Sequence, residues 1–155
     1  MRSQIHFPIA DIVPQADSMS LLSRAVEGDD TSIVVEADIT PDCLFHEGQG
    51  VGGWVGIEYM AQAIAAWAGW RARLRGESPH IGFLLGTRRY ECSRPYFLSG
   101  ETLRIEATQL LWADSGLGQF ECSIAVDGEQ VANAALTVFE PPDAAAFLKG
   151  EKNNE

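Results

Sequence analysis

Residues 54 to 70 read WVGIEYMAQAIAAWAGW, a run that is apolar on nearly every helical face and rich in alanine. A helix without a polar side reads as one surrounded by protein rather than one laid on a surface. A membrane span is the competing explanation, but 17 residues fall short of the ~20 needed. Glu58, inside the run, would also be costly in lipid. The small residues Gly56, Ala61, Ala63, Ala65, Ala66, Ala68 and Gly69 would let a curved sheet approach the helix axis closely. The aromatics Trp54, Tyr59, Trp67 and Trp70 suit core packing.

Working outward, residues 32–39 (SIVVEADI) are β-branched and partly alternating, which predicts a strand ended by Pro41. Beyond the helix, strands are expected at 81–85, 87–94, 102–112, 118–126 and 130–139. Asp127-Gly128 is a strong hairpin signal, and Asp114-Ser115-Gly116 and Ser99-Gly100 mark further turns. Successive hairpins make an antiparallel sheet, so the class is α+β, with a sheet wrapped around one long helix. Residues 1–142 form one domain in this reading, and 143–155 a partly disordered tail whose KGEKNNE end lacks apolar content.

Three cysteines, Cys43, Cys92 and Cys122, are odd in number and lack a CxxC pattern, so neither a disulfide framework nor a zinc site is indicated and a reducing cytoplasm fits. The apolar stretch Ile5–Val13 is interrupted by Pro8 and Asp11, which argues against a signal peptide. A net charge of −11 speaks against nucleic acid, whose phosphates are bound by lysine and arginine. Yet six of the 11 basic residues (Arg71, Arg73, Arg75, Arg88, Arg89, Arg94) fall in a window whose only acids are Glu77 and Glu91. They either complement a helix C-terminus and face water, or form a docking patch for an acidic partner.

Glu58 is the lone charge between Trp54 and Trp70, and burial among apolar side chains would favour its protonated form. Gln62, four residues on, shares its helix face and can hydrogen-bond the carboxyl. His6, His46 and His80 are the whole histidine inventory, with no metal-ligand helical spacing. His46 precedes a glycine-rich turn through which the loop could bring the imidazole toward the first helical turns and Glu58, a pairing suited to acid and base work. Gly48–Gly53 formally satisfies GxGxxG, but no βαβ unit surrounds it. These glycines better serve close approach of a ligand to the helix N-terminus, where free amides can polarise a carbonyl.

The segment Gly53 to Ala63, with its E-x-M-A-Q core, resembles the PGVLxxEAMAQA segment of the FabA/FabZ-like 3-hydroxyacyl-acyl-carrier-protein dehydratases. The similarity extends to Val13–Leu22 (LPHRxPMLL in the family), Arg88–Gly100 (RFRRPVxPGD) and Gly118–Val131 (GKFEGxAxVDGxxV). PGWVGIEYMAQ-like helices point to the aryl-polyene branch. The resemblance implies a hot-dog fold that dimerises side by side, as a homodimer or with another hot-dog subunit, each active site drawn from both subunits. It implies no cofactor and an acyl carrier protein as partner, presenting a thioester whose 3-hydroxyacyl group is dehydrated.

Glu58 matches the family's catalytic carboxylate, Gln62 its supporting glutamine, and Gly53 the glycine whose amide receives the thioester oxygen. His46 matches the catalytic histidine, although Glu47-Gly48 replaces Phe-Pro-Gly and the interval to Gly53 is two residues shorter than in HFPGxPVMPG. In this reading Trp54 shapes the acyl tunnel and the arginine window receives the carrier protein. Two rivals remain: a hot-dog thioesterase, and a non-catalytic partner in a heterodimeric dehydratase.

Overall fold

The computed structural model describes residues 2–13, 20–77 and 82–140. The start of the strand expected from 81, His80, part of the Val13–Leu22 segment and the tail from 143 lie outside the described residues.

In chain order the elements are β1 (Ser3–Gln4), β2 (Arg24–Gly28), β3 (Ser32–Asp38), β4 (His46–Glu47) and β5 (Gly50–Gly52), then α1 (Gly56–Leu74). After the helix come β6 (Phe83–Cys92), β7 (Tyr96–Leu98), β8 (Thr102–Trp112), β9 (Leu117–Val126) and β10 (Glu129–Phe139). Seven strands form one sheet in the order β1-β2-β3-β8-β9-β10-β6, and β4-β5-β7 form a small second sheet. All pairings are antiparallel.

Strict alternation on β9 turns Phe120, Cys122, Ile124 and Val126 inward, level with Ile105 and Ala107 of β8 and with Ala134 and Leu136 of β10. Onto this face α1 lays Tyr59, Met60, Ala63, Ala66 and Trp67, all buried. Burying each large apolar side chain contributes about 1.5–3 kcal/mol. Trp67 meets Phe120 edge-on at 5.5 Å between ring centroids, so aromatic packing locks the C-terminal half of the helix to the sheet.

The helix is preceded by a tight 3-10 turn, Gly53–Val55, and runs four residues past Trp70, to Leu74. Close approach explains Gly69: a Cβ there would overlap the Ile12 carbonyl of the N-terminal segment crossing the helix. Asp127 and Gly128 both take positive φ, 52° and 82°, closing the β9-β10 hairpin where the Asp-Gly pair predicts it.

The two strands expected at 81–85 and 87–94 are one edge strand, β6. Gly86 stays paired with Thr137 within it, and two register shifts against β10 absorb the irregularity, one beside Gly86 and one between Arg88 and Glu91. At one of them Arg89 is left-handed, with φ 54°.

Candidate active site

The glutamate and glutamine of the helix meet as their spacing predicts. Gln62 is buried; its Oε1 accepts the Leu21 N–H at 2.8 Å, which turns its Nε2 toward Glu58 Oε1 at 3.2 Å. The backbone bond thus orients the amide, and the amide orients the carboxylate. A carboxylate in the first helical turn also sits at the positive end of the helix dipole.

Glu58 itself is exposed, not buried as the apolar run suggests. Only one side of α1 meets the sheet. The opposite stripe, Ile57, Glu58, Ala61, Ala65 and Ala68, is half-buried or open, and Trp54 just before it is 70% exposed. The expectation that the whole helix is enclosed fails for the single chain because apolar character on all faces does not say which chain covers each face. Trp54 is open to solvent in the single chain, where it packs edge-on against Phe45 at 5.8 Å.

Gly53 also departs from its expected role. Its amide donates to the Pro95 carbonyl at 2.9 Å, so it is not free to receive a thioester oxygen. Its carbonyl accepts from the Tyr90 hydroxyl of β6, whose ring lies half-buried beside Gly56. Burial pushes the Tyr90 hydroxyl above its usual range, keeping it a neutral donor. The Gly53 peptide is therefore clamped on both sides, which fixes the turn that leads into Glu58. Tyr90 escaped the sequence reading because its contact spans 37 positions and leaves no local pattern.

His46 begins β4 and pairs with Val51 of β5. Phe45 before it is left-handed at φ 71°, a costly conformation for a bulky residue, and its contact with Trp54 holds the loop against the helix start. The ring Nε2 lies 2.6 Å from Ser99 Oγ. Among the described residues His46 and Glu58 share no hydrogen bond; each is held by a different partner, Ser99 and Gln62.

Four of the six arginines are engaged within the chain. Arg71 pairs with Asp30 at 2.9 Å, Arg73 Nε donates to the Asp11 carbonyl at 2.9 Å, and Arg75 reaches Glu77 at 3.4 Å. Arg94 grips Glu101 with two bonds of 2.8 and 2.7 Å and holds that carboxyl below its usual range. Arg88 and Arg89 are exposed on β6 and line a pocket of about 370 Å³ with Leu110, Gln119 and Glu121.

No described helix is long and apolar enough to cross a membrane. No curated relative matches the chain in sequence. Among solved structures it is similar to the dehydratase heterocomplex ApeI:P from Xenorhabdus doucetiae, at 29% identity and a TM-score of 0.83 over 93% of this chain and 98% of that one. It is also similar to a hypothetical thioesterase with coenzyme A from Streptococcus pneumoniae (15% identity, TM-score 0.59, 76% of this chain and 84% of that one). The PaaI protein of E. coli gives 18% identity and a TM-score of 0.58 over 75% of this chain and 81% of that one. These last two likenesses share only the hot-dog fold. A family model described as ApeP dehydratase matches residues 7–149. With that match over nearly the whole sheet-and-helix unit, and the E-x-M-A-Q helix at its centre, the chain belongs to the ApeP-like dehydratases, hot-dog proteins of the aryl-polyene branch.

Proposed function

We propose that the chain dehydrates 3-hydroxyacyl thioesters borne on an acyl carrier protein, giving trans-2-enoyl thioesters, in a site completed by a second hot-dog subunit. The observation that carries this reading is Glu58, oriented by a buried glutamine yet presented on the uncovered stripe of the helix. A carboxylate positioned with such care on a face its own chain leaves open is suited to substrate held between two subunits.

In this reaction His46 takes the C2 proton, the C3–O bond breaks, and Glu58 protonates the departing hydroxyl, which leaves as water. In the assembled site the histidine of one subunit serves the glutamate of the other. With the Gly53 amide engaged by Pro95 and the Gly56 amide donating to the Gly53 carbonyl, the thioester oxygen is received by a donor other than these two. Arg88 and Arg89 are the part of the arginine window left for an acidic carrier protein.

Enclosure by a partner subunit would exclude water and supply the apolar surroundings that the isolated helix face lacks. Glu58→Gln, assayed in the assembled complex with 3-hydroxyacyl carrier protein, is expected to abolish loss of water from the loaded carrier while leaving the complex intact. Unchanged turnover would remove Glu58 from the mechanism. It would favour a second reading, to which the shortened His46–Gly53 loop already points: a subunit that supports catalysis by its partner. Release of free acid would instead indicate a thioesterase.

A further inference from the structure

We propose that Ser99 is the positioning residue for His46: its hydroxyl accepts a hydrogen bond from Nε2–H and so leaves Nδ1 as the nitrogen that takes the substrate proton. This rests on the reading of His46 as the base. The geometry is a 2.6 Å contact between Nε2 and Ser99 Oγ, made across 53 positions of sequence. Among the described residues Nδ1 has no hydrogen-bond partner.

A hydroxyl can donate or accept, and the two choices have opposite consequences for the ring. If Ser99 donated, Nε2 would spend its lone pair on the serine and Nδ1 would carry the proton, leaving a neutral ring with no free basic nitrogen. If Ser99 accepts, Nδ1 keeps its lone pair, and the imidazolium formed on taking a proton strengthens the same bond. Only the second arrangement allows His46 to act without first breaking its contact.

Ser99 is held where it can do this. Its amide donates to the Gln49 carbonyl at 3.1 Å and the next amide, Gly100, to Ile39 at 2.9 Å. Leu98 before it pairs with Gly50 of β5, and the Leu98 amide also donates to Glu101 Oε1 at 2.6 Å. Through the Arg94–Glu101 pair the whole turn is tied down. The serine is thus fixed against the same hairpin that carries His46, so the contact limits ring rotation as well as setting the tautomer.

The test is nitrogen-15 NMR of the histidine-labelled protein, with turnover measured in the assembled complex. A chain with three histidines gives few signals to assign. The wild type is expected to show His46 with Nδ1 unprotonated and a resolved Nε2–H whose exchange with water is slowed. Ser99→Ala should return the ring to the mixed tautomers of free imidazole and lower kcat by about 10- to 100-fold with little change in KM, the size expected for losing a hydrogen bond to a charged group. Ser99→Thr, which keeps the hydroxyl, should restore both. An Nδ1–H tautomer in the wild type, or a spectrum unaltered by Ser99→Ala, overturns the proposal. The NMR result does not need turnover, so a complex that dehydrates nothing would defeat the dehydratase reading while the role of Ser99 is still decided.

Discussion

Gln62 shows how one buried side chain can serve both stability and chemistry. Its carbonyl oxygen satisfies the Leu21 amide and its amino group holds Glu58. Gln62→Met keeps nearly the same volume but strips both bonds. Leaving a buried amide unpaired costs about 1–3 kcal/mol, so the variant should be destabilised by that amount in urea unfolding and should lose kcat more than it gains KM. Equal stability would mean that the Leu21 amide finds another partner. The i, i+4 spacing made the Glu58–Gln62 pair legible in the sequence. The contacts of Ser99, Tyr90 and Pro95 were not, because each joins residues far apart in sequence through the fold alone. The correction at Gly53 has the same origin: the motif locates the glycine, but only the strand opposite determines whether its amide is free.

Among the elements, the long strands could be read most directly. β8, β9 and β10 alternate with period two and end at turn residues, and each was placed within a residue or so. β2 and the short strands β4, β5 and β7 lack that pattern and owe their extended form to pairing. The turn after β7 is held by Arg94 and Glu101, which are only 26% and 18% exposed in their side chains. The Arg94 hydrogen bonds hold the Glu101 carboxyl below its ordinary value of 4.5. A carboxylate with a depressed folded value contributes stability above the unfolded value and loses it as pH falls through the folded one. Glu101→Gln should therefore be less stable than the wild type at pH 7, by about 1 kcal/mol for a partly solvated pair. The gap should narrow as pH drops below 4.5. Parallel denaturation curves at pH 7 and in that acid range check this, and a gap independent of pH would mean that the pair does not carry the linkage.

At the scale of the whole molecule, the feature that bears on assembly is the stripe on α1 that its own sheet leaves open. The run WVGIEYMAQAIAAWAGW carries enough apolar surface to be covered on both sides, but its sheet covers one. Hydropathy therefore does not distinguish the face that the chain's own sheet covers from the face that it leaves open. If a second hot-dog subunit supplies the missing cover, the small side chains of Ala61, Ala65 and Ala68 set how closely it can approach. Ala65 is the sensitive position because it is half-buried, central in the stripe and two helical turns from Glu58. Ala65→Arg puts a long cation where backbone approach is needed, yet on the side of the helix that faces away from its own sheet. The chain should still fold, with an unfolding midpoint close to wild type, while co-elution with a hot-dog partner and loss of water from the loaded carrier disappear together. If association and turnover survive the arginine, the stripe is not the joining face, and the exposed Glu58 would have to meet its substrate without a second subunit closing over it.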